Sequence, residues 1–417
     1  MSFEQVSKWI AAHQEEMVEL QRELTSRPAI GPESGGTGEW EKARFLESYL
    51  GAHGFGPAQH HDCPDERVPE GTRPTFWVTV PGSRPEPCVW VLSHVDVVPP
   101  GERLPDGSWA GWESDPFALR RAGDIIVGRG VSDDQQAIVS SVFGARALLE
   151  SGLGPANTVK LLFVADEETG SHRGLLHLLK ERQDVFSQAD AILVPDWGKE
   201  DGAAIEVAEK SMVWLRFRVK GRQAHASRPD LGINSARAAA WLVNVLDQGL
   251  SKSFDKVDHL YDVPRSTFEP TMHEANVPNI NTIPGEDAFC FDCRVLPNYS
   301  LDSVLAFVNA QCRRADGTFG TSTEVTVKNR QDAPPPTAPD SPVVRMLSRA
   351  LREVRGVEAA TAGIGGLTLA SPFRERGFSA AVWMTTGPTG HQANEVCHVS
   401  HMTGDAQVFA HVFLHGF

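Results

Sequence analysis

The chain has 417 residues, 41% hydrophobic and 22% charged, an ordinary soluble composition and too long for a single core. A net charge of −15 argues against a general nucleic-acid binder, which would carry a basic stripe. No apolar run approaches the ~18 residues of a membrane helix, the first residues hold no signal-peptide core, and six scattered cysteines make no disulfide framework. The expectation is a cytoplasmic protein with neither a nucleic-acid nor a membrane partner.

In chain order, residues 6–26 are amphipathic at helical spacing, and 28–38 form a loop rich in proline and glycine. Residues 40–55 read as a second helix, ended by Gly51 or Gly54. Residues 75–80 and 88–98 are β-rich and apolar, the latter nearly continuous, as in a strand buried on both faces. A helix starts at the acids Asp133 and Asp134, which suits the positive end of its dipole. Residues 159–166 and 191–196 are further buried strands. Strands alternating with helices predict a helix-covered, mainly parallel sheet, an α/β fold.

After Asp201 the pattern changes. Residues 211–221 alternate with period two, followed by a helix at 233–250, strands at 266–273 and 287–297, a helix at 301–315 and a strand at 322–329. That is βαββαβ, the ferredoxin-like arrangement. Within it Cys290 and Cys293 form a CxxC on a strand, where residues three apart face opposite ways, so two buried free thiols are expected there. A proline-rich hinge at 332–342 returns the chain to alternating helix and strand. The expected organisation is a larger α/β domain in two parts, 1–208 and 331–417, with a small α+β domain inserted at 209–330.

Four stretches place metal-ligand chemistry where strands end or turns begin. In SHVDVVP, His94 and Asp96 lie two apart on a strand and so face the same way, which suits a ligating imidazole oriented by a carboxylate. GRGVSDD puts Asp133 after a glycine turn, FVADEETGS ends a strand in Asp166, Glu167 and Glu168, and VPDWG puts Asp196 just past a strand. Near the C-terminus TTGPTGHQANE carries His391 in a loop. Each piece alone has an ordinary explanation as a satisfied turn, a helix cap or a surface histidine. Together they gather at the carboxyl ends of strands, where α/β sheets hold ligands. The donors suit Zn²⁺, Co²⁺ or Mn²⁺, and five of them imply two metal ions sharing a carboxylate.

These stretches, with WESDPF, GRQAHASRPDLGINSA, NINTIPGE and FDCRVLP, resemble the M20 peptidase family of dizinc amide hydrolases over nearly the whole chain. The resemblance implies that Asp133 bridges two metals, with His94 and Asp196 on one and Glu168 and His391 on the other. It makes Asp96 the residue that orients His94, and Glu167 the general base. It makes the inserted domain a lid through which two copies dimerise, with His225 as oxyanion donor. Asn281, Arg294 and, more loosely, Gly365 and Gly366 of GIGGLTLASPF fall on substrate-binding positions.

The implied activity is hydrolysis of a dipeptide or an N-acyl amino acid. Two features depart from the family: Gln135 and Gln136 replace its usual Lys-Gly, and His398 and His401 match no metal position. The rivals are a non-catalytic binding protein with structural metals and a nucleotide-binding α/β protein. GRGVSD lacks the GxGxxG spacing the latter needs.

Overall fold

The structure, a computed structural model, describes residues 2–417. It divides into two compact units, the first running up to Val207 and taking in Pro335–Thr361 and Thr368–Phe417. The second comprises Ala208–Pro334 and Ala362–Leu367. The glycines of GIGGLTLASPF thus group with the second unit, although they follow the hinge in sequence.

An eight-stranded sheet organises the first unit, in the order Gln59–His60, Thr75–Val80, Asn157–Val164, Arg84–His94, Ala191–Gly198, Ala380–Met384, Ala204–Glu209, Ala360–Ile364. The four strands from Asn157–Val164 to Ala380–Met384 run parallel, and Thr75–Val80 and Ala204–Glu209 flank them antiparallel. Their inner residues are apolar on both faces, with Trp90, Leu92 and Leu162 buried on one and Val89, Val91 and Leu161 on the other, because helices cover both sides. One cover is Gln135–Glu150, which packs on Val399–His415. A Cβ at Gly144 would lie 3.0 Å from the Ala406 carbonyl, so glycine lets the two helices approach closely at that crossing.

The second unit has a four-stranded antiparallel sheet in the order Thr267–His273, Glu286–Val295, Ser211–Lys220, Ser322–Gln331. Its helices Ser235–Ser253 and Leu301–Phe319 bury Leu242, Leu246, Val304 and Val308 against Phe217, Phe289 and Phe291. This is the expected βαββαβ order. All six cysteines are free, but only Cys293 of the CxxC is buried, while Cys290 is half-buried.

The first helix departs from its periodicity. It breaks into Phe3–Ala12 and Gln14–Thr25, because the His13 amide bonds Ile10 while its ring nitrogen takes the Trp9 carbonyl at 2.6 Å. Among the described residues, no helix is long and apolar enough to cross a membrane.

Candidate metal centre

The carboxyl ends of the parallel strands converge on one group of side chains. His94 is the last residue of Arg84–His94 and is buried. Asp96 therefore lies beyond the strand, but the chain turns so that the His94 Nδ1–H donates to the Asp96 carbonyl at 3.0 Å and sits 3.5 Å from its Oδ1. The same carboxylate accepts the amides of Glu167 (3.1 Å) and Glu168 (3.0 Å). Asp96 thus positions both the imidazole and the acidic turn.

That turn follows Asn157–Val164 directly. Asp166 has φ +67° and builds the turn, accepting from the Thr169 hydroxyl and, at 2.8 Å, from the Arg173 amide. Behind it Arg73, fully buried and held by Glu39, brings Nη1 to 3.6 Å from Asp166. So a positive charge does sit beneath the three consecutive acids. Glu167 and Glu168 are half-buried in the site, and among the described residues the Glu167 carboxylate makes no hydrogen bond.

Asp133 is presented by the loop before Gln135–Glu150. The buried Glu395 holds that loop, accepting the amides of Gly130 (3.0 Å), Ser132 (2.9 Å) and Asp133 (3.0 Å) and pairing with Arg129 at 2.8 Å. Asp134 is buried and accepts the His94 amide at 3.0 Å. The peptide between Asp133 and Asp134 is cis.

The two Asp133 oxygens face different groups. Oδ1 lies 2.9 Å from His94 Nε2, which is 3.9 Å from Asp196 Oδ1. Oδ2 lies 3.1 Å from His391 Nε2, which is 2.9 Å from Glu168 Oε2. One ligand atom each from His94, Asp133 and Glu168 falls within 4.8 Å. Asp196 is not past its strand as the sequence suggested. Ala191–Gly198 runs on through it because Gly198 pairs with Met384 across a bulge. His391 has φ +64°. With Asp166, Ser171 and Asn394 it completes the non-glycine residues of positive φ among the described residues, all in the loops around this group. Each such position costs roughly 1–3 kcal/mol and tends to persist at functional sites.

The electrostatics are those of crowded acids. Burial, then Glu168 and Asp96, pushes Glu167 up to about 8. Burial likewise raises Asp196 well above the usual carboxylate range, and raises Glu168. Burial works against Asp133 too, but His391 and His94 hold it well below that range. Hydrogen bonds to Asp133 and Glu168 push His391 up to about 10. The donor set fits divalent cations. Ligand atoms 2.0–2.2 Å from a tetrahedral ion lie about 3.4 Å apart, and the pairs above span 2.9–3.9 Å.

Gln135 and Gln136 are buried in the shell behind. Gln135 accepts from Thr25 at 2.8 Å, and Gln136 donates to the Thr385 carbonyl (2.7 Å) and to Asp405 (2.9 Å). His398 and His401 pack tilted against each other, ring centroids 4.7 Å apart, with His398 lying against Asp124.

In the second unit His225 is exposed, its Nδ1 2.7 Å from Ser227 Oγ, and Asn281 accepts the neighbouring Ala226 amide at 2.8 Å. Arg294 is engaged on both sides of its fork, by Asp292 at 2.7 and 3.0 Å and by the Gly365 carbonyl at 2.9 Å. Gly366 follows in the same loop. Glu395, Arg73 and Asp292 were not singled out from the sequence, and Asp134 only as an acid at a helix start. Only Glu395 had a usable signal, its place four residues after His391.

Residues 90–415 match the model of peptidase family M20/M25/M40. An uncharacterized metallohydrolase of Methanocaldococcus jannaschii is 31% identical over 95% of this chain and 98% of its own. A succinyl-diaminopimelate desuccinylase of Nitratiruptor is 27% identical over 91% and 94%. The solved dipeptidase Dug1p of Saccharomyces cerevisiae superposes with a TM-score of 0.76 over 99% and 98%, at 18% identity, a likeness of fold. With this reach of similarity and these carboxylates and histidines gathered at the strand ends, the chain is a metallohydrolase of peptidase family M20/M25/M40.

Proposed function

We propose that the chain hydrolyses an amide or peptide bond in a small substrate bearing a free carboxylate, a dipeptide or an N-acyl amino acid. The observation that carries this reading is the orientation of Asp133, whose two oxygens address two separate half-sites. His94 and Asp196 belong to one, Glu168 and His391 to the other, and together they would hold a pair of divalent cations. The nitrogen and carboxylate donors favour Zn²⁺, with Co²⁺ or Mn²⁺ next. When bound, such cations polarise a carbonyl oxygen and bring the pKa of water toward ~7.

The protein's own part is positional. Asp96 keeps the His94 proton on Nδ1, leaving Nε2 free to ligate. Glu167, with an unpartnered carboxylate, takes a proton from the attacking water and hands it to the leaving nitrogen. His225 is the proposed donor to the oxyanion, from a second unit that serves as lid and dimerisation domain, spanning about 209–330. Asn281, Gly365 and Gly366 are the proposed substrate contacts there. Arg294 joins them if a substrate carboxylate displaces or shares Asp292, since its fork is otherwise occupied. The proposed compartment is the cytoplasm.

The test is hydrolysis of a mixed panel of dipeptides and N-acyl amino acids by metal-stripped protein, before and after adding Zn²⁺, Co²⁺ or Mn²⁺. Cleavage restored by metal is the expected result and names the substrate type. Protein that binds about two metals per chain but cleaves nothing across both classes would overturn this reading in favour of a non-catalytic binding protein.

A further inference from the structure

The strands that carry the metal centre at their carboxyl ends begin around a second cavity. It has a volume of about 560 Å³ and is lined by Arg84 and Asn157 at the starts of two parallel strands, by Arg345 and Arg349 of helix Pro342–Ala350, and by Met346 and Phe417 among others. Strands such as the eight-residue Asn157–Val164 separate it from the acids above by on the order of 20–25 Å, at ~3.3 Å per residue. It is not part of the catalytic cleft.

Three arginines share this cavity, no aspartate or glutamate side chain lines it, and the terminal carboxylate of Phe417 forms no ion pair with them. In a chain of net charge −15 most arginines find a carboxylate. Among the described residues these three find none within the 4.0 Å of an ion pair. Arg84 donates to the Asn157 side-chain oxygen at 2.8 Å and Arg349 to the Gly416 carbonyl at 2.5 Å. The Nε of Arg349 is buried and has no partner. A buried guanidinium N–H left unmade is costly, and an anion would satisfy it. The remaining wall is apolar, with Met346 buried and Phe417 half-buried. That combination is built for a ligand with a charged head and a hydrophobic body.

We propose that this cavity is a binding site, distinct from the metal centre, for a small organic anion: a carboxylate or phosphate on an apolar body. The guanidiniums of Arg84, Arg345 and Arg349 take the head, and the wall of Met346 and Phe417 takes the body.

The test is calorimetry with phenylacetate, phenyl phosphate, inorganic phosphate and the neutral phenylacetamide. It uses the metal-loaded enzyme and metal-stripped His94→Ala protein, in which no bound cation is left to hold an anion at the metal centre. The expected result is about one site for an aromatic anion that survives His94→Ala and weakens about tenfold in Arg84→Glu or Arg345→Glu. Both arginines are exposed, so these variants should fold. The stronger of phenylacetate and phenyl phosphate identifies the head group. The proposal is overturned if neither saturates in the millimolar range, or if both charge reversals leave the affinity unchanged. It is equally overturned if phenylacetamide binds as well as phenylacetate, or if inorganic phosphate binds as tightly as phenyl phosphate.

Discussion

The buried carboxylate of Glu395 accepts the amide hydrogen of Asp133 at 3.0 Å, so the residue that faces both half-sites is held by one that touches neither. Glu395→Gln puts an amide against backbone donors, and metal affinity is expected to fall about 10–100-fold, read as metal retained after dialysis. Glu395→Ala also leaves Arg129 buried and unpaired, and should lower stability by about 3–5 kcal/mol in a denaturant titration.

Glu167→Gln removes the proton acceptor without removing a proposed ligand. Turnover should drop by about 10²–10⁴ while metal content stays at the parent value. Parent-like turnover in that variant would sink the assignment of Glu167 as base.

Asp96→Asn disturbs the Glu167–Glu168 turn directly and removes the negative charge 3.5 Å from His94 Nδ1, while the backbone-carbonyl bond to that nitrogen stays. Metal affinity and kcat should therefore fall jointly, each by about tenfold or more. A loss confined to kcat would show that the contact with His94 is dispensable.

Gly198→Ala would place a methyl 1.6 Å from the Met384 carbonyl, across the strand pair that carries Asp196. Neither backbone can yield without opening the sheet, so a loss of about 1–3 kcal/mol or more is expected, seen as a lowered Tm.

Asp405, bonded to Gln136 in the shell behind the metal centre, offers a pH test at a group that is no proposed ligand. Burial pushes its pKa from the ordinary 3.8 up to about 6, against the opposing hydrogen bonds from Thr385 and Gln136. The folded state then holds the proton more tightly than the unfolded one, so this group's contribution is full below about pH 4 and is lost as pH rises through about 6. The parent should lose of the order of 2–3 kcal/mol relative to Asp405→Asn across that window. Parallel stability curves for the two proteins would refute the shift.

Much of the architecture was readable because its causes are local or periodic. Nearly continuous, β-rich apolar runs at 88–98, 159–166 and 191–196 fit strands covered on both faces. The period-two pattern at 211–221 likewise announced a different kind of sheet. The break at His13 was not readable, since an imidazole taking a backbone carbonyl leaves the apolar spacing intact. The extension of the strand through Asp196 depended on a partner nearly two hundred residues away.

By itself the sequence picked out the chemical groups in the strand ends and the turns beside them: His94, Glu167, Glu168 and Asp196 at or near strand ends, Asp133 and His391 in loops, with Asp96 two residues from His94. Residue type and the nearby apolar runs and glycines suffice for that, because both are local. Only the tertiary structure decided how those groups meet. It turned one Asp133 oxygen to His94 and the other to His391, set Glu395 behind the loop, and placed Arg73 beneath the acidic turn. It also drew Arg84, Arg345 and Arg349 around one cavity. These are contacts between residues dozens to hundreds apart, fixed by the order and register of the sheet, and no local pattern encodes that order.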